Sequence, residues 1–291
     1  MNDKKGLTIG VTITVVAVVL IAAILGIYRL AGGQWTSPPP PPPAAYCRAA
    51  MDGETADLTI EQAGNAAIIA AVATQRGLAP RAVSIALTTA FQESGIRNLD
   101  YGDRDSLGLF QQRPSMGWGT KEQVMDPFYS SGKFYDVMVT VDDWETADIG
   151  DVAQEVQRSG FPDAYDKHVA TARLIASALS GETPASWSCL VRDPAPADPA
   201  QLLSLLTQAY GATIHAVPMA ATATDPARIT ITAASETTAW SAGTFAQSWA
   251  KQTGVTKVSV GKSEWKASAA VLSGWVAGTT PATATQVVIT F

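Results

Sequence analysis

From Leu7 to Tyr28 the chain runs for 22 residues without a charged side chain and is rich in Val, Ile, Leu and Ala. As a helix such a run reaches about 33 Å, enough to cross a hydrocarbon core of about 30 Å. It exceeds the apolar region of a cleavable signal peptide, about 7–15 residues, and no Cys follows to receive a lipid. Residues 7–30 are therefore expected to be an uncleaved transmembrane anchor, with a cleaved signal as the alternative. Lys4 and Lys5 precede the run and only Arg29 follows closely. That asymmetry places a tail of residues 1–6 in the cytoplasm and everything after about residue 30 outside a single-pass cell membrane protein. One span cannot enclose a transport pathway.

Ser37 is followed by six prolines, Pro38 to Pro43. Such a run is extended at about 3.1 Å per residue, so residues 31–46 read as a spacer holding the next block roughly 20 Å off the membrane. The chain has two cysteines, Cys47 and Cys189. Outside the cytoplasm disulfides persist, and the pair brackets one continuous block, which suggests a single bond closing residues 47–190. Two free thiols remain the alternative. Two cysteines and two distant histidines, His168 and His215, do not make a metal site, and no cofactor is expected. Acidic residues outnumber basic ones, 26 to 20, with no Lys/Arg block. A nucleic-acid partner, which needs clustered positive charge, is excluded.

Between the cysteines the pattern is helical. Thr59 with Gln62 reads as a capping box opening an Ala/Ile-rich helix that runs to Gly77. Pro80 opens a second helix with Val83, Leu87, Ala90 and Ser94 on one stripe, stopped by Gly95. An Asp/Gly-rich loop, Asn98 to Ser106, leads to helical pieces near Leu107–Gln112 and Glu122–Met138. A last pair spans about Ile149–Ser159 and Ala164–Leu179. No strand is expected in this block. A Pro/Ala/Asp stretch within residues 191–199 marks a boundary. Beyond it, residues 200–291 read as a small α+β domain: a helix from Pro199 to Gly211, strands at Ala212–Val217, Arg228–Ala233, Lys257–Val260 and Gln286–Phe291, and a helix from about Ser241 to Thr253. The expected fold class is thus a mostly α domain after a transmembrane helix, plus a small C-terminal α+β domain. That last domain shows no chemical motif, and its Trp240, Trp249, Trp265 and Trp275 read as core.

The informative segment is Phe91 to Gln112. Glu93 lies in the final turn of the second helix, with Ala90, Thr89 and Ala86 three, four and seven residues back. Partial burial and the negative end of the helix dipole both disfavour a carboxylate there, so its pKa should rise. A raised carboxyl is what protonates a glycosidic oxygen at neutral pH. Taken alone, a Glu at a helix end is more often a solvated surface residue.

Glu93-Ser94, followed after a loop by Gly108-Leu109-Phe110-Gln111, resembles the soluble lytic transglycosylase and goose-type lysozyme superfamily. Ala153-Gln-Glu-Val-Gln-Arg-Ser-Gly160 occupies the place of that family's Ala-x-x-Ala-Tyr-Asn-Ala-Gly motif, and the likeness covers about Ala49 to Leu179. The resemblance implies a lysozyme-like domain that cuts the MurNAc–GlcNAc β-1,4 bond of peptidoglycan. Glu93 would be the acid/base, Ser94 would orient the site, and Gly108 would admit a sugar close to the backbone. Phe110, beside Leu109, would form an apolar wall, and Gln111, next to Gln112, would hydrogen-bond the saccharide. Two positions depart from the pattern: Gln157 stands where the family has the Tyr that contacts the catalytic Glu, and Ser106 replaces the Ala of its Gly-Ala-x-Gly-Leu turn.

Asp100, Asp103 and Asp105 are candidates for a second carboxylate. An inverting hydrolase needs a base about 6.5–9.5 Å from the acid; a lytic transglycosylase needs none, because the sugar's own 6-hydroxyl attacks. The plainer reading has these Asp residues capping turns and pairing with Arg97 and Arg104. Arg113 to Gly119 could line a sugar groove, with Trp118 stacking on a ring or anchoring a packed loop. Tyr165 and His168 read as helix-start and helix-face residues. The expectation is peptidoglycan cleavage, with glycan strands and the membrane as partners. The rivals are a hydrolytic lysozyme using an Asp of the 100–105 loop and a non-catalytic wall-binding scaffold whose C-terminal domain docks a cell-envelope protein.

Overall fold

A computed structural model of the chain describes residues 44–158, 163–279 and 282–291. The expected tail, anchor and most of the spacer lie outside the described residues, and among the described residues no helix is long and apolar enough to cross a membrane. Residues 44–291 form one compact unit.

The mostly helical expectation is corrected. Among the described residues there are nine helices and two antiparallel sheets, of three and six strands. Three strands fall in the block where none was expected: β1 (Tyr46–Met51), β2 (Glu54–Thr59) and β3 (Trp187–Leu190), in the order β2-β1-β3. Their alternation is real but made of small residues, with Cys47, Ala49, Ala56 and Leu58 facing inward. Alanine favours helices, which hides such a strand. The turn between β1 and β2 carries the signal that composition hides. Asp52 and Gly53 both have positive φ, 52° and 86°, the geometry a two-residue hairpin demands. In β1 and β3 Cys47 faces Cys189, and the two form a disulfide across 142 residues.

Helix α1 (Ile60–Gln75) starts at the capping box of Thr59 and Gln62 and is buried continuously from Ala63 to Ala73. A helix apolar all round belongs inside. It packs against α2 (Pro80–Ser94) and α4 (Pro127–Met138) of the helical block, and against α7 (Pro199–Tyr210) and α8 (Glu236–Ser248) of the C-terminal block. Gly64 allows this closeness: a Cβ there would stand 3.3 Å from the indole of Trp249. Thus α1 is common to the helical block and the C-terminal block, and one apolar core runs from Cys47 to Ile289.

The expected helix over 122–138 divides at Asp126-Pro127 into α3 (Lys121–Val124) and α4, with Asp126 capping Phe128 N–H. Helices α5 (Ile149–Gln157) and α6 (Asp166–Leu179) follow. Leu107–Gln112 is not a helix. It doubles back through backbone bridges Leu99–Gly108 and Leu107–Gln112, because Gly108 and Gln111 take positive φ. In the C-terminal block the order is β4-β5-β9-β6-β7-β8 for β4 (Ile214–Met219), β5 (Arg228–Ala233), β6 (Lys257–Val260), β7 (Ser263–Lys266), β8 (Val276–Ala277) and β9 (Gln286–Thr290). Strands β7 and β8 were not expected. Helix α8 starts earlier than expected, at Glu236, with a Ser235 cap, and short α9 (Ala250–Thr253) follows.

Candidate active site

Glu93 sits one residue before the end of α2, and the chain is held firmly on both sides of it. Gly95 closes the helix in a left-handed conformation, and Ile96 follows with φ 57°. Positive φ is unfavourable for a β-branched residue. The neighbouring helix compensates: Gln62 Nε2 donates to Gly95 O at 2.8 Å and Asn65 Nδ2 to Ile96 O at 3.0 Å. Ser94 Oγ lies 2.7 Å from Leu109 O and 3.1 Å from Ala90 O, joining the helix end to the 107–112 loop.

That loop is fixed from beneath. Gly108 has φ 77°, its N–H donates to Leu99 O, and a Cβ would overlap the Val124 carbonyl oxygen. Gly108 therefore serves close backbone packing against α3. Phe110 is fully buried and stacks on Phe134 with ring centroids 4.6 Å apart. Its ring lies in the core and is not available as a wall under a sugar; its carbonyl accepts from the cavity residue Gln157 Nε2 at 2.7 Å. Leu109 is fully buried too, and Gln112, 2 % exposed, donates to Ser130 O. Gln111 Nε2 lies 3.3 Å from both Tyr101 O and Gly108 O.

Of the expected residues, Glu93, Ser106, Gln111, Trp118 and Gln157 line one cavity of about 590 Å³. Ser94, Gly108, Leu109, Phe110 and Gln112 lie outside its lining and build the support behind it. A second cavity, of about 680 Å³ between the β1–β2 turn and α6, brings together none of the expected residues.

Tyr165 was not expected at the site. It is almost fully buried at the start of α6, and its hydroxyl donates to Glu93 Oε1 at 2.7 Å. The tyrosine in contact with Glu93 thus comes from the start of α6 and not from the position of Gln157 on α5. Gln157 instead bonds to both Glu93 and the Phe110 carbonyl. Burial pushes the Glu93 carboxyl above its ordinary value, and the hydrogen bonds from Tyr165 and Gln157 pull partly the other way. The group is thus biased toward its protonated form yet oriented by donors that favour the anion.

The acidic loop separates into different environments. Asp105 accepts from Arg113 Nε at 2.8 Å and Ser115 N–H at 2.8 Å, which holds its carboxyl far below the usual range. Asp103 lines the cavity and lies 3.8 Å from Arg104, both exposed. His168 stacks on Phe91 and lies 3.3 Å from Gln92 Oε1. Arg113, Met116, Lys133 and Arg158 complete much of the cavity wall. Compared with models of known protein families and with curated proteins, the chain matches none.

Proposed function

We propose that the protein cleaves the MurNAc–GlcNAc β-1,4 bond of peptidoglycan by lytic transglycosylation, with Glu93 as acid and then base. The observation that carries this reading is the Glu93–Tyr165 contact in a cavity large enough for sugar rings: a carboxyl raised by burial, oriented by a phenol and open to one side. Protonated Glu93 gives its proton to the glycosidic oxygen as the C1–O bond breaks. The carboxylate then takes the proton of the sugar's own 6-hydroxyl as O6 bonds to C1, leaving a 1,6-anhydro sugar and no net proton change. Gln157 and Tyr165 hold the carboxyl in place through both steps. The disulfide supports an extracytoplasmic location, where such a substrate lies.

Asp103 favours a second reading, hydrolysis, because it lines the same cavity and could activate water. Asp105 does not serve this role, being engaged by Arg113 and Ser115. Digestion of peptidoglycan in ¹⁸O-water separates the two chemistries. Anhydro products without label support transglycosylation; labelled reducing ends refute it and make Asp103 the base to test.

A further inference from the structure

The chain carries a net charge of −6, yet three cations line the Glu93 cavity: Arg113, Lys133 and Arg158. Arg113 is neutralised by Asp105. Among the described residues neither Lys133 nor Arg158 makes an ion pair. Once Glu93 is in its protonated form, these two cations share the cavity with one carboxylate, Asp103, which itself has Arg104 nearby. A site for an uncharged glycan has no use for that excess.

The backbone at Arg158 points the same way. It caps α5 in a left-handed conformation, φ 50° and ψ 40°, a position where Gly or Asn is cheapest. A bulky side chain is disfavoured in that conformation, and at this position it places a guanidinium at the cavity wall. Lys133 is half-buried on α4, which packs against α5, so the two cations come from adjoining elements.

Resting on the peptidoglycan reading above, we infer that Lys133 and Arg158 form a subsite for a carboxylate-bearing substituent on the glycan. The substrate is then a strand carrying an anion beside the scissile bond, discriminated from neutral N-acetylglucosamine polymers. Two sources share this chemistry: the bare lactyl carboxylate of a peptide-free strand, and the acidic side groups of an attached stem peptide. Guanidinium and ammonium groups in a partly enclosed cavity suit either one.

The test compares kcat/KM of the full-length protein on an N-acetylglucosamine oligomer, peptide-stripped strands and peptide-bearing strands. Variants are Lys133→Ala, Arg158→Ala and the conservative Lys133→Arg, each checked by thermal melting. Where an oligomer is not turned over, its dissociation constant with Glu93→Gln protein replaces kcat/KM. Each alanine variant is expected to lose about three- to tenfold on anionic strands, through KM. Its loss on the neutral oligomer should be clearly smaller, and Lys133→Arg should restore activity on the anionic strands. Added salt should erode the difference. A loss already present with stripped strands assigns the anion to the lactyl group; a loss confined to peptide-bearing strands assigns it to the peptide. Equal losses on all three glycans, or none, overturn the subsite while leaving the Glu93 chemistry intact. Absence of Glu93-dependent cleavage on every glycan removes the underlying reading itself.

Discussion

The hydroxyl of Tyr165 donates to Glu93 Oε1 at 2.7 Å, joining the start of α6 to the last turn of α2 across 72 residues of sequence. This bond favours the carboxylate, whereas burial favours the acid. Tyr165→Phe removes the opposing influence, so the Glu93 pKa moves further up. The limb of the pH–rate profile that reports loss of the protonated acid should shift to higher pH. Maximal kcat should fall about tenfold, since one orienting hydrogen bond is gone. An unshifted limb in the kcat/KM profile counts against Tyr165 acting through Glu93.

Glu93→Gln should abolish cleavage and stabilise the fold. The folded-state pKa of Glu93 lies above its unfolded value, so its stabilising contribution is complete only below the unfolded pKa. That contribution is lost as pH rises through the folded pKa. At neutral pH the carboxylate is therefore a burden that glutamine lacks. A gain on the order of 1 kcal/mol is expected at pH 7, vanishing toward pH 4. Calorimetric melts at the two pH values measure it; a variant less stable at neutral pH contradicts the assignment of burial as the dominant cause.

Joining Cys47 to Cys189 closes a loop of 142 residues and pins β1 to β3. Serine at both positions should cost about 2–5 kcal/mol, on the entropy of the opened chain. Urea unfolding of the oxidised protein and the double variant reads this directly, and a change below about 1 kcal/mol would show that the sheet holds without its clasp.

Deletion of residues 194–291 should leave no stable fold. Trp187, fully buried in β3, donates its indole N–H to Ser248 Oγ at 3.0 Å, and α1 gives up its cover from α7 and α8. The truncated chain should lose near-ultraviolet dichroism and its slowest-exchanging amides. Native-like protection in the truncated chain would make the C-terminal block dispensable.

How much of this was legible in the sequence differs from residue to residue. Glu93 was readable because the apolar run behind it and the Gly95 stop fix a helix end, and the Gly108–Gln111 spacing supplies the loop. Tyr165 was not, because the contact depends on how α6 lies against α2, and nothing local to Tyr165 encodes that packing. Phe110 illustrates the converse: its motif was visible, but the partner that takes its ring, Phe134, is a tertiary fact. The Asp52-Gly53 turn was present as a hairpin signal and was masked by the alanines of β1. Lys133 and Arg158 carry no motif at all; only the cavity brings them together.

The most direct measurement incubates purified, oxidised full-length protein and its Glu93→Gln variant with isolated peptidoglycan and reads the soluble products by mass spectrometry. The account predicts anhydro-muropeptides from the native protein and none from the variant. A folded native protein that releases no more product than Glu93→Gln would contradict it.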